Sequence, residues 1–354
     1  MTDQPYQNAE DVKGLQQHIM VLTGEEKRTV SQIIDRLPPL DIRRVDNETL
    51  NCVQVAAQNL PARLVKHLVR FRREPNDYGV LMFRNLPTDT DLPPTPEDGG
   101  RSREKSSFVS EYNLLLFLLF LGEPIAYEDE KQGLLIQNIC PVKGQEKRQE
   151  NTSSHYLNYH TEDGFHPHRP DHLALIGLRS DHEGVARTLT ASIRQVLHDI
   201  PSTAISLLRQ PLYRLFPSSS FNMGKDDYSV YLPVLSGSWL EPQMCVHFSS
   251  MTATRRDAKW ALDTLRKALT QVGIGFHINP GDLLIIDNRL VAHARSSFQP
   301  KYDGKDRWLQ RIFTVVDFHQ SSFSRGRGQH VCSPLYADNT RKMVWDKPGV
   351  IQID

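Results

Sequence analysis

From about residue 134 onward the chain consists of short apolar runs, each closed by turn residues: LLIQNI (134–139), HLALIGL (172–178), TLTASI (188–193), YSVYLPV (228–234), QMCVHF (243–248), GIGFHI (273–278), DLLIID (282–287) and WLQRIFTVV (308–316). Runs of this length bounded by Gly, Pro, Asn and Asp read as strands. One long amphipathic helix interrupts them, with Ala258, Ala261, Leu262, Leu265, Ala268, Leu269 and Val272 on one face. Gly273 is placed to end it. Many short strands with few helices predict a mainly β, α+β architecture: a barrel or jelly roll buttressed by helices.

The N-terminal part has a different texture. Residues 1–45 are polar and charged and read as a leading helix and an extended arm. Pro61 opens a helix in which Leu64, Leu68 and Phe71 recur at helical spacing. GVLMFRNL (79–86) reads as a strand. The stretch 87–107 holds four prolines and mixed charge and reads as a surface loop. A further helix covers about 108–121 and ends near Gly122. The expected organisation is one unit over 1–354, with a mostly helical part (1–130) and a strand-built core (134–316). Within it, a Ser-, Gly-, Asp- and Pro-rich segment (217–242) could cover a site, and 317–354 form a C-terminal extension.

Composition narrows the function. Lys+Arg and Asp+Glu both total 42, with no dominant block of either sign, which argues against nucleic acid or an anionic membrane as partner. The four cysteines have no paired spacing, so a reducing cytoplasm is the expected compartment. The most apolar run, 114–121, is too short to span a bilayer.

The chemistry concentrates in YHTEDGFHPHRPDH (159–172). His160 and Glu162 are two apart, and on a strand such residues share a face. A second histidine from a distant strand would complete two imidazoles and one carboxylate, a facial set that suits iron(II) activating oxygen. His293, after PGDLLIIDN, is the best third ligand. A lone H-x-E is common by chance, and His166, His168 and His172 are nearby rivals that read as turn residues or partners of backbone. The same three ligands could serve a zinc hydrolase, and a non-catalytic jelly-roll binding module would use them only structurally. Arg311 tips the balance. It lies among Leu309, Ile312 and Phe313, and a buried arginine needs an anion, such as a bound dicarboxylate or amino-acid carboxylate.

The segments YHTEDGFHPHRPDHLALIGLR (159–179), GDLLIIDNRLVAHAR (281–295) and YDGKDRWLQRIFTV (302–315), with a weaker match at IQNICPV (136–142), resemble the clavaminate synthase-like branch of the 2-oxoglutarate oxygenases, especially its free amino-acid hydroxylases. The resemblance implies a double-stranded β-helix, iron(II) on His160, Glu162 and His293, and 2-oxoglutarate and O2 as cosubstrates. It places Arg307, fourteen residues after His293, on the far carboxylate of 2-oxoglutarate, assisted by Thr188 with Thr190 as the alternative. Arg311 would grip the substrate's α-carboxylate, with Gln137 near its backbone groups. It also implies specialised metabolism, such as the making of antibiotic precursors.

Relatives acting on arginine place acidic residues on a strand after the lid. Here that stretch is QMCVHFSSM (243–251), which has no Asp or Glu. His247 and Ser249 would share one face of a strand and offer neutral hydrogen-bonding groups. The expected substrate is therefore a free L-amino acid with a neutral polar side chain, citrulline ahead of glutamine or asparagine. The alternative is a hydroxylase of arginine or lysine, with Glu241, Asp226 or Asp227 supplying charge.

Overall fold

The computed structural model describes residues 3–218, 221, 228–326 and 328–335. Two sheets carry the architecture. The larger runs in the order Val331–Cys332, Glu123–Tyr127, Trp308–Val315, His172–Arg179, Leu283–Asp287, Val80–Arg84, Ile19–Val21, with Ile136–Ile139 also paired to Trp308–Val315. The smaller runs in the order Gln7–Asn8, Ile274–Phe276, Thr188–Ser192, Val291–Arg295, Leu157–His160. Six strands build the site and are numbered in chain order: β1 (Leu157–His160), β2 (His172–Arg179), β3 (Thr188–Ser192), β4 (Leu283–Asp287), β5 (Val291–Arg295) and β6 (Trp308–Val315). The chain passes from the larger to the smaller sheet between β2 and β3, and again between β4 and β5, as a jelly roll requires.

Period-two alternation explains why β2, β4 and β6 read as continuous apolar runs. Leu173, Leu175, Leu284, Ile286, Leu309 and Phe313 join a core that also takes in residues of the smaller sheet. Their neighbours Ala174, Ile176, Leu178, Leu283, Ile285, Trp308 and Ile312 join a second core on the opposite face. A strand covered on both faces has no side that must stay polar. The second face is covered by helix α1 (Ala62–Arg73), through Leu64, Leu68 and Phe71, and by helix α2 (Val109–Leu118), whose residues 110–118 are all buried. Helix α3 (Arg256–Gln271) buries Ala258, Ala261, Leu262, Leu265 and Leu269 in the first core. Among the described residues no helix is long and apolar enough to cross a membrane.

Several expectations need correction. The segment 243–248 is a strand only over Pro242–Met244; beyond it His247 makes an isolated bridge to His160, and 248–250 turn. The loop 87–107 is not merely a surface loop: Lys105 lies buried between Asp89 (3.0 Å) and Glu111 (2.7 Å), an ion cluster that pins the loop to α2. Gly273 follows α3 but has no left-handed φ; a Cβ there would stand 2.4 Å from Tyr159 Oη, so close approach is what requires glycine.

Candidate active site

β5 brings the two halves of the site together through its register. His293 lies opposite His160 on β1 and opposite Thr190 on β3, and Arg295 lies opposite Thr188. Glu162 is not on the strand that carries His160; it lies in the turn just past its end. That turn is fixed by Asn288, which accepts from the Glu162 amide at 2.7 Å and donates to the Glu162 carbonyl at 3.1 Å. The convergence expected from strand alternation is therefore achieved by a pinned turn.

The result is a buried cluster in which one ligand atom from each of His160, Glu162 and His293 lies within 4.8 Å of the others. His293 Nε2 is 3.3 Å from Glu162 Oε2, and the two imidazole centroids are 4.2 Å apart. The carbonyl of Asn158 is 2.8 Å from His160 Nδ1, an arrangement that fixes the ring and leaves Nε2 for a metal. Two imidazoles and a carboxylate in this geometry fit iron(II). Burial, then His293, holds the His160 imidazole well below the usual histidine range. Burial opposes ionisation of Glu162, but Arg311 and a hydrogen bond from His293 overcome it and hold the carboxyl below the usual range. Both ligands are thus in metal-binding protonation states.

The triad opens into a cavity between the sheets, lined among others by Glu130, Asn151, Asp163, Thr188, Ser218, His247, Arg295, Arg307 and Arg311. Arg307 Nη2 stands 3.5 Å from Thr188 Oγ1; Thr188 lines the cavity, and Thr190, two residues on along the same strand, does not. Neither Arg295 nor Arg307 has a carboxylate partner among the described residues, and burial pushes them down to about 9 and about 10. Two buried guanidinium groups without counter-ions fit a dicarboxylate such as 2-oxoglutarate.

Arg311 differs from its expected state. The anion its burial demands is supplied by the protein itself: it donates to Glu162 Oε1 at 3.0 Å and pairs closely with Glu130, while its Nε donates to Gln137 Oε1 at 2.8 Å. Gln137 is therefore behind Arg311 and does not line the cavity. His247 does line it, 5.2 Å from the His160 ring centroid, and burial lowers it to about 4, so it is neutral near pH 7. Ser249 does not: it is exposed on the turn and bonds Gln149 at 3.0 Å. The shared-face expectation failed because the strand ends before it. Glu241 pairs with Arg194 away from the cavity, and Asp226 and Asp227 lie outside the described residues. His166 accepts from the His168 amide, and neither joins the triad.

Sequence reasoning missed Glu130, Asp163 and Arg295. Glu130 sits in YEDEKQG, a charged run that looks solvated. Asp163 adopts a positive φ of 47° and leaves Oδ2 buried with no partner among the described residues. Arg295 was legible, being two residues after His293 on the same strand face.

Comparison with known proteins shows the family. Residues 59–313 match the model of "Taurine catabolism dioxygenase TauD, TfdA family". L-asparagine oxygenase of Streptomyces coelicolor is 36% identical over 79% of this chain and 84% of its own length. L-lysine 3-hydroxylase of Catenulispora acidiphila is 30% identical over 90% of each. Clavaminate synthase 2 of Streptomyces clavuligerus is 31% identical over 76% of this chain and 83% of its own. The crystal structure of asparagine oxygenase with Fe(II), 2S,3S-3-hydroxyasparagine and succinate superposes with a TM-score of 0.83 at 32% identity, covering 89% of this chain and 99% of that one. That of the non-heme iron oxygenase OrfP with Fe and alpha-ketoglutaric acid gives 0.79 at 28% identity, over 89% and 99%.

Proposed function

The chain belongs to the TauD/TfdA dioxygenase family and is an iron(II)- and 2-oxoglutarate-dependent amino-acid oxygenase, and within that class we propose that it hydroxylates an unactivated C–H bond of a free L-amino acid whose side chain is neutral and hydrogen-bonding. Citrulline is the member we expect it to favour, with glutamine and asparagine the shorter candidates.

The observation that carries this reading is His247. It is a half-buried imidazole beside the triad, just before the turn at 248–250, and it is neutral near pH 7. A neutral imidazole exchanges hydrogen bonds with an amide or urea, whereas a guanidinium or ammonium at that place would need a free carboxylate. The acids of the cavity do not offer one readily. Glu130 is already paired with Arg311, Glu150 is pushed up by burial and lies 3.8 Å from Arg148, and burial followed by the nearby Glu130 and Glu162 pushes the Asp163 carboxyl up toward its neutral form. The relative named for asparagine has a neutral side chain in its substrate; the one named for lysine does not.

His160, Glu162 and His293 would hold iron(II), which supplies oxygen activation coupled to oxidative decarboxylation of 2-oxoglutarate to succinate. The chain's own residues bind and orient. Arg307 and Thr188 take the distal carboxylate of 2-oxoglutarate, and arginine suits it because its fork matches a carboxylate. Arg311 keeps unspent N–H donors for the substrate's α-carboxylate while Gln137 and Glu130 hold its plane. Leu173, Leu175, Leu215 and Phe165 give the cavity an apolar wall, which excludes water and strengthens the polar contacts inside. The test is a panel of free amino acids scored for succinate release together with a product heavier by one oxygen. Turnover with citrulline, glutamine or asparagine supports the reading; turnover confined to arginine, lysine or ornithine refutes it.

A further inference from the structure

The three arginines of the cavity are in unlike electrical states. Arg311 has two carboxylates, while Arg295 and Arg307 have none within ion-pair distance among the described residues. Both stand over the same aromatic ring, their guanidinium carbons 5.3 Å and 5.9 Å from the Phe298 centroid. Arg295 and Thr188 are register partners on adjacent strands, so they share a face, and Arg307 Nη2 lies 3.5 Å from the Thr188 hydroxyl. Arg295 is itself anchored: Nη2 donates to Ser153 Oγ at 2.7 Å and to the His155 carbonyl at 2.8 Å. Its Nε is buried and bonds nothing among the described residues.

Burying one unpaired guanidinium is costly, and burying two side by side adds their repulsion. Cation–π contact with one shared ring offsets only a small part of this. The arrangement needs an anion between them. A carboxylate with two oxygens has lone pairs for both forks and for the Thr188 hydroxyl.

We propose that Arg295 is a second guanidinium on the distal carboxylate of 2-oxoglutarate, closing a clamp with Arg307 and Thr188. The proposal rests on the placement of Arg307 and Thr188 at that carboxylate, and it adds a residue to the cosubstrate site. The Ser153 and His155 contacts hold Arg295 rigid, so the clamp is preorganised before the cosubstrate arrives. The clamp also explains how the site tells a 2-oxo dicarboxylic acid from a 2-oxo monocarboxylic acid. Without the second charge, both arginines stay uncompensated.

The test is an anaerobic titration of the iron(II)-loaded enzyme, followed by its visible charge-transfer band, with 2-oxoglutarate and with 2-oxopentanoate, which has the same chain length but no distal carboxylate. The ratio of the two dissociation constants reads the clamp. In Arg295→Gln the ratio falls by at least about tenfold, while the constant for 2-oxopentanoate stays within about twofold. An unchanged ratio overturns the proposal, and so does equal weakening of both acids, which is what a purely structural arginine would give. If Arg295→Gln does not fold, Arg295→Lys keeps the charge but loses the fork; its ratio lies below wild type, and a wild-type ratio overturns the proposal. Arg307→Gln is titrated in parallel. If it leaves the ratio unchanged while Arg295→Gln lowers it, the reading of Arg307 fails and that of Arg295 stands.

Discussion

Arg311 Nη1 donates to Glu162 Oε1 at 3.0 Å, so the arginine proposed for the substrate also orients a proposed metal ligand. Glu162 offers its other oxygen toward His293. The two jobs are coupled through one guanidinium plane, which Glu130 and Gln137 hold from behind.

This coupling makes a prediction about Arg311→Ala. It raises KM for the amino acid, and it also weakens iron binding by about 10–100-fold, the usual effect of removing a partner of a ligand. Metal titration and amino-acid KM in the same preparation check it. Unchanged iron affinity would mean that Glu162 keeps its orientation without Arg311.

Replacing the ligands themselves has a simpler outcome. His160→Ala, Glu162→Ala and His293→Ala each abolish turnover and keep the fold, because side chains lining a cavity add little to either core. His166→Ala and His168→Ala retain stoichiometric iron. Metal content and circular dichroism on the five proteins check this; full activity in Glu162→Ala would remove the carboxylate from the set.

Arg307→Ala raises KM for 2-oxoglutarate strongly, by at least about tenfold, since it deletes a charge-assisted pair in a buried site. KM for the amino acid moves far less. Steady-state kinetics with each substrate varied in turn checks it, and the opposite pattern would exchange the roles of Arg307 and Arg311.

Away from the site, Lys105→Met leaves Asp89 and Glu111 buried without their cation. Breaking such a cluster from one side costs about 3–5 kcal/mol. Urea unfolding checks it, and a loss under about 1 kcal/mol would show that Gln310, which donates to Glu111 at 2.7 Å, and the backbone amides of Val109 and Ser110 suffice.

His160, Glu162 and His293 could be picked out as an H-x-E pair plus a distant histidine, whereas Arg307 and Thr188 came only from the family resemblance. The strands β2, β4 and β6 were legible from their apolar runs, which need two covered faces. What misled was strand alternation carried past the ends of strands. It placed Ser249 in the cavity although the chain turns at 248–250, and it put Glu162 on a strand although Asn288 pins it in a turn. Glu130 was illegible for another reason. Its neighbours Asp129 and Lys131 make the run look solvated, and only the long-range pairing with Arg311 draws it inside. Lys105 misled in the same way, a buried cation inside a segment with the composition of a surface loop.

His247 offers a direct handle on the central claim, because the single change His247→Asp should move preference toward cationic side chains; Ser249 has no part in it. The most direct measurement is kcat/KM for citrulline against arginine with the wild-type enzyme. The two molecules differ only in a urea oxygen standing where arginine has a protonated nitrogen, so length and shape cancel. A neutral pocket predicts that citrulline is preferred by at least about tenfold, since an unpaired buried charge costs more than a hydrogen bond returns. Preference for arginine would contradict the account.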